Sequence, residues 1–119
     1  MQTRGPRIDA YRFGRVVIDG TPYETDVILS PNGVRSPWRR RRGHVLNPSD
    51  LQELLDEGCE ALVVGTGSFG RMKVADAVPR RLSELGIELR AERTAQAVEI
   101  YRKWTSEGKA VTAALHLTC

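Results

Sequence analysis

Three glycines, Gly65, Gly67 and Gly70, stand in "VVGTGSFGRMKV" with the spacing G-x-G-x-x-G. That spacing cradles a pyrophosphate when a strand runs straight into it and a helix opens on its last glycine, so that the helix N-terminus faces the charge. Few other groups in the chain are equipped for chemistry. His44 and His116 are its only imidazoles and Cys59 and Cys119 its only thiols, and nothing in their spacing suggests a metal site. No G-x-S-x-G elbow is present, and Ser68 has no base near it in sequence, so the pattern of a serine hydrolase is missing. Trp38 followed by Arg39, Arg40, Arg41 and Arg42 supplies the residue types of a nucleic-acid patch, a ring to stack on bases and guanidiniums to meet phosphates.

The elements around these groups decide what they can do. "AYRFGRVVIDGTPYETDVILSP" alternates, with Tyr11, Phe13, Val16, Ile18, Val27 and Leu29 apolar, and Asp19-Gly20 predicts a hairpin turn. "PNGVRSPW" reads as a loop. "NPSDLQELLDEG" predicts a helix with Asn47 as cap, Pro48 at its first position, Leu51, Leu54 and Leu55 on one face and Gly58 as stop. "CEALVVG" is a short apolar run, expected to be a buried strand ending at Gly65. A second helix is expected to begin near Asp76, because Pro79 is tolerable only in a first turn, with Val78, Leu82 and Leu85 inward. "IELRAE" is the next strand. A third helix, capped by Thr94, carries Val98, Tyr101 and Thr105 on its inner stripe, and "KAVTAALHLTC" closes the chain as a strand. Strands alternating with helices predict a largely parallel sheet in the second half.

The glycine turn fails the dinucleotide test on this reading. "RMKVA" separates Gly70 from a helix that opens near Asp76, and Glu92, placed like a ribose-binding acid, lies far along the chain. No NAD or NADP binding is expected. Two readings of the turn remain: a plain loop, or a shallow anion-accepting concavity built from the amides of Gly65, Thr66 and Gly67. In the second, Arg71 or Lys73 supplies charge and His44 lines the same end. The arginine run reads as a solvated basic loop rather than a nucleic-acid site, because it is short and carries one aromatic. Each histidine reads as a hydrogen-bonded structural residue, Cys59 as a small core residue, and Tyr101 and Trp104 as packing.

The totals set the frame. The chain has 119 residues, 40% hydrophobic and 28% charged, with a net charge of +3. These values fit one globular domain able to bury a core without metals or disulfides. The expected organisation is a loose tail over residues 1–8 and a single domain over 9–119. No apolar segment approaches the roughly 18 residues of a membrane span. The N-terminal residues lack the apolar core of a signal peptide, so the expected location is the cytoplasm, with two free thiols.

In this order the motifs resemble a known family. "FGRVVIDGTPYETDVIL", Trp38 with Gly43-His44, "PSDLQELLDEG", "VVGTG", "LSELGIEL", "TAQAVEIY" and "ALHLTC" together make the chain similar to the Mth 938-like domain, domain of unknown function 498, from about Ile8 to Cys119. "VADAVP" departs from the expected opening of the second helix, and the four arginines look like a variable feature. The resemblance implies an α/β fold, a single three-layer domain with a mixed, partly parallel central sheet, helices packed on it and an N-terminal β-hairpin region. It implies a single-domain cytoplasmic protein without an established enzymatic activity, and the residues themselves lead to the expectation of no catalytic residue, metal or cofactor. The family's more distant relatives include a mitochondrial assembly factor, which makes a protein-interaction, assembly or regulatory role the first expectation. A small-ligand or anion-binding domain, or an enzyme of unrecognised type, using Gly65-Thr66-Gly67 is the second.

Overall fold

The computed structural model describes residues 5–119. Strands β1 (Ile8–Arg12), β2 (Arg15–Ile18) and β3 (Thr21–Tyr23) form an antiparallel meander. β4 (Val27–Ser30), β5 (Gly33–Arg35), β7 (Ala61–Thr66), β9 (Glu88–Glu92) and β10 (Val111–His116) build the main sheet in the order β5-β4-β10-β7-β9. Its β4 and β5 strands run antiparallel, whereas β7, β9 and β10 are mutually parallel. β6 (Val45–Leu46) and β8 (Lys73–Val74) form a short parallel pair. A 3-10 turn, Pro48–Leu51, leads into helix α1 (Gln52–Glu57), and α2 (Ala77–Glu84) and α3 (Thr94–Ser106) complete the fold.

The apolar runs explain the layering. β7 and β10 are buried on both faces, which is why their sequences are nearly continuous apolar stretches. Side chains alternate between faces along each strand. Val27, Leu29, Ala61, Val63, Ala113 and Leu115 therefore point one way, against Ala97, Val98, Tyr101 and Trp104 of α3 and Ile8, Val16 and Ile18 of the meander. Ile28, Leu62, Val64 and Ala114 point the other way, against Trp38, Leu46, Leu51, Leu54, Met72, Val78 and Leu82. Helix and meander on one side, and the other two helices with the Trp38 loop on the opposite side, make three layers around a mixed sheet.

Several elements depart from the sequence reading. Asp19-Gly20 does turn between β2 and β3, with Asp19 at φ 48°, but a second hairpin at Phe13-Gly14 joins β1 to β2 and leaves Phe13 exposed. The expected loop over "PNGVRSPW" contains β5, because Pro31-Asn32 turns the chain back so that Gly33 pairs with Ser30. Thr94 is the first residue of α3 rather than its cap; Arg93 holds that place, and the Thr94 hydroxyl is buried in other bonds. Asn47 and Pro48 open a 3-10 turn before the α-helix, with the Asn47 amide donating to Asp50 Oδ2 at 2.9 Å. The loose tail expected over residues 1–8 does not reach its last residues: Pro6 and Ile8 are buried, and the Tyr101 hydroxyl donates to the Pro6 carbonyl at 2.5 Å. The first four residues of that expected tail lie outside the described ones. Among the described residues no helix is long and apolar enough to cross a membrane.

Helix α2 supplies a direct check. Leu82 is 1% exposed, whereas Leu85, expected beside it on the inner face, is 43% exposed at the C-terminal cap of the helix. Leu82→Ala is expected to cost about 2–5 kcal/mol. Leu85→Ala is expected to stay within about 0.5 kcal/mol. Urea denaturation of both variants measures the contrast.

Candidate functional site

Parallel strands β7 and β10 end side by side, His116 in register with Thr66. Two groups of residues meet at this carboxyl end, one on each face of the sheet.

The glycine turn is the first. Its three glycines answer to packing. A Cβ at Gly65 would lie 2.8 Å from Thr94 Oγ1, and one at Gly67, where φ is +105°, would lie 2.2 Å from the Cys119 carbonyl carbon. The turn is thus pressed between the start of α3 and residues 117–119, which follow β10. Most of its amides are already engaged. Gly67 N–H donates to Thr94 Oγ1 (2.9 Å). Ser68 N–H donates to Thr118 O (2.6 Å), Gly70 N–H to Gly67 O (3.1 Å), Arg71 N–H to Cys119 O (3.0 Å) and Met72 N–H to Thr66 O (3.0 Å). The Thr66 hydroxyl donates to Glu92 O at 3.1 Å. The amide cradle expected from Gly65, Thr66 and Gly67 therefore has no donor at Gly67 to offer an anion. Gly70 lies in the turn, and α2 opens only at Ala77, so no helix N-terminus faces the glycines. Arg71 is exposed beside this turn. His44 reaches the same end of the sheet by a different route: its ring meets that of His116 edge-on, with centroids 5.5 Å apart. Lys73, the other cation expected there, joins β8, and its amide donates to the His44 carbonyl at 2.8 Å.

The second group is one the sequence reading missed. Arg40, expected to be a solvated member of the arginine run, has a side chain only 4% exposed. Its Nη2 donates to Asp26 Oδ2 (2.9 Å) and to the Gly43 carbonyl (2.7 Å), its Nε donates to the same carbonyl (2.9 Å), and its guanidinium lies 4.5 Å from the centre of the Trp38 ring. His116 Nδ1 lies 2.8 Å from Asp26 Oδ2, and the Leu117 amide donates to Asp26 Oδ1 at 2.8 Å. The signal was present in the spacing. In an extended segment Trp38 and Arg40 share a side, so the ring that enters the core takes Arg40 with it while Arg39 and Arg41 stay exposed. Trp38 is 7% exposed, which removes it as a stacking surface for bases.

Burial works against a charged Asp26, but the hydrogen bonds from His116, the Leu117 amide and Arg40 outweigh it and hold the carboxyl below its usual range. A buried ion pair of this kind adds little net stability while intact and costs about 3–5 kcal/mol when one partner is removed. Two nitrogens in the cluster, Arg40 Nη1 and His116 Nε2, are buried with no hydrogen-bond partner among the described residues. Elsewhere burial pushes the Cys59 thiol up, away from the range of a reactive thiolate. Among the described residues no three His, Cys, Asp or Glu side chains are placed to hold a metal ion.

A mixed sheet between two helical layers, with its chemistry gathered where two parallel strands end, defines a small α/β domain without a nucleotide-type glycine loop. The chain belongs to the protein family of unknown function DUF498/DUF598, whose model matches residues 8–116. It is similar to a conserved hypothetical protein, PH1505, from Pyrococcus horikoshii OT3 (27% identity, 95% of this chain and 99% of that one, TM-score 0.79). It is equally similar to MT938 (27% identity, 96% and 99% covered, TM-score 0.80). A Mth938-like domain from Bordetella pertussis shares the fold at 22% identity, with 94% and 85% covered and a TM-score of 0.72. The family and fold expected from the motifs are those found.

Two measurements test the site. Thr94→Val keeps the shape of the side chain but leaves Gly67 N–H and the His116 carbonyl without their partner; a loss of about 2–4 kcal/mol is expected in chemical denaturation. Asp26 has a folded pKa below its unfolded value near 3.9, so its contribution is complete above about pH 4 and is lost as pH falls through the folded value. Asp26→Asn should therefore be less stable at neutral pH and show a shallower fall of stability on the acid side, read from denaturation midpoints between about pH 2 and 7.

Proposed function

We propose that this chain is a protein-interaction module of the assembly or regulatory kind, and that its contact surface is the turn end of the molecule. The observation that carries the reading is an exposed aromatic pair. Phe13 is 51% exposed and Phe69 60%, and their ring centroids lie 6.0 Å apart at an interplanar angle of 46°. They come from two turns far apart in sequence, the β1–β2 hairpin and the glycine turn.

Those turns are pinned to each other. Tyr11 Oη is hydrogen-bonded to Ser68 Oγ and donates to the Leu117 carbonyl at 3.1 Å, and the Gly14 amide donates to the same carbonyl at 2.9 Å. The aromatic pair is thus held in place before any partner arrives, which lowers the ordering cost of association. Rigid aromatic anchors ringed by polar groups are the residues that dominate binding energy at protein interfaces. The ring here is cationic. Arg12 adjoins Phe13, Arg71 follows Phe69 closely, and Arg93 packs over Gly70. None of the three has a carboxylate partner among the described residues, whereas Arg7, Arg35, Arg81, Arg90 and Arg102 all do. The surface suits a partner that presents an apolar residue within an acidic segment.

The test compares the native chain with a Phe13→Ser, Phe69→Ser variant as bait in native extract of the source organism. Recovered proteins are quantified by mass spectrometry. A specific partner is expected to be depleted at least about 30-fold on the variant, the equivalent of roughly 2 kcal/mol. An unchanged melting temperature shows the fold intact, since both side chains are exposed. Equal recovery on both baits, or no specific partner on either, overturns the reading.

A further inference from the structure

The buried cluster of Asp26, Arg40 and His116 is not explained by a surface for partners. It lies against Trp38 and the interior of the sheet, and its two orphan nitrogens call for something the chain does not supply. A buried polar group left without a partner costs about 1–3 kcal/mol, more when charged, and each such group in a folded protein asks for a ligand or an ordered water.

The hydrogen bonds fix which kind. Arg40 Nη2 carries two hydrogens, and both are placed, one on Asp26 Oδ2 (2.9 Å) and one on the Gly43 carbonyl (2.7 Å). It has none left for His116 Nδ1, 3.3 Å away. Both nitrogens instead donate to the same Asp26 oxygen, so the proton of the His116 ring sits on Nδ1. Asp26 and Arg40 already cancel each other's charge, and a charged ring would leave one buried charge uncompensated. In the neutral ring with its proton on Nδ1, Nε2 is a bare acceptor. Arg40 Nη1 is a donor only. The orphan pair is thus one donor and one acceptor in the same neighbourhood, which excludes an anion as the simple match, since an anion cannot donate to Nε2. A hydroxyl group both accepts and donates.

We propose that Arg40 Nη1 and His116 Nε2 together hold a single hydroxyl oxygen, that of a water molecule or of an alcohol-bearing ligand, which enters beneath His44. The His44 side chain is exposed and meets the His116 ring edge-on at 5.5 Å, which places a surface residue against the ring that carries the orphan nitrogen. The Asp26 carboxylate accepts from Nδ1 and so fixes the tautomer and orientation of the ring. A hydroxyl held this way gives its hydrogen bond to a base while accepting one from a guanidinium.

The experiment uses the whole chain with ¹⁵N-labelled histidine. Long-range ¹H–¹⁵N correlation reads the tautomer, and water–protein cross-relaxation reads any bound hydroxyl; methanol is the added probe. His116 is expected as the Nδ1-protonated neutral ring, with cross-relaxation from a long-lived water to its carbon-bound protons. A saturable change of the Nε2 shift with methanol identifies a site open to alcohol ligands. An unchanged shift with the water signal retained identifies water as the occupant, and both results support the site. Arg40→Lys, which keeps a cation for Asp26 but has no second nitrogen, should weaken the water signal at least about threefold while His116 keeps its tautomer. An Nε2-protonated ring in the native chain, or a His116 ring that contacts neither water nor methanol, overturns the proposal without recourse to any variant.

Discussion

The Thr94 hydroxyl is bonded on both sides in a place where no water reaches: it accepts from Gly67 N–H at 2.9 Å and donates to the His116 carbonyl at 2.6 Å. Thr94 is fully buried and opens α3, so one oxygen ties the ends of the two central parallel strands to the helix that covers them. Much else hangs on that tie. It sets how closely α3 approaches β7, which leaves no room for a side chain at Gly65. It also fixes the path of the glycine turn, which places Phe69 against Phe13, and the end of β10, after which the Leu117 amide meets Asp26.

Most of the architecture was legible because its signals are local. Apolar runs such as "ALVVG" demand a strand buried on both faces, and Pro79 can stand only near the start of a helix, as it does in α2. What escaped depends on what a segment meets far away. Residues 33–35 are too short and polar to announce a strand, yet they pair with β4 once Pro31-Asn32 turns the chain. Phe13 fits the inward alternation of β1 and β2 but sits at the tip of a hairpin, where there is no sheet to cover it. Thr94 has the type of a cap, but tertiary contacts gave its hydroxyl better partners.

The candidate site divides the same way. That Gly70 stands outside a helix follows from sequence distance alone, and the structure agrees. That the turn's amides are taken follows from Thr94, Thr118 and Cys119, none of which is near the turn in sequence. Composition also misled at Arg40. Four arginines in a row suggest four solvated charges, but Arg40 packs over the buried Trp38 ring, and its charge then needs Asp26. A buried polar cluster was therefore written in the sequence as spacing rather than as a motif.

The order of the main sheet leaves β5 and β9 as its two borders, and both are unsuited to self-assembly. β5 is three residues long and carries Arg35, bound to Glu53 and Glu57. β9 reads Glu-Leu-Arg-Ala-Glu, with Arg90 paired to Glu92 and Glu88 paired to Lys109, so its border is studded with charge. Copies of the chain that meet in a crowded solution would have to strip those ion pairs of water before adding strand to strand. A protein that exposes two phenylalanines side by side at one end thus keeps charge along both borders of its main sheet.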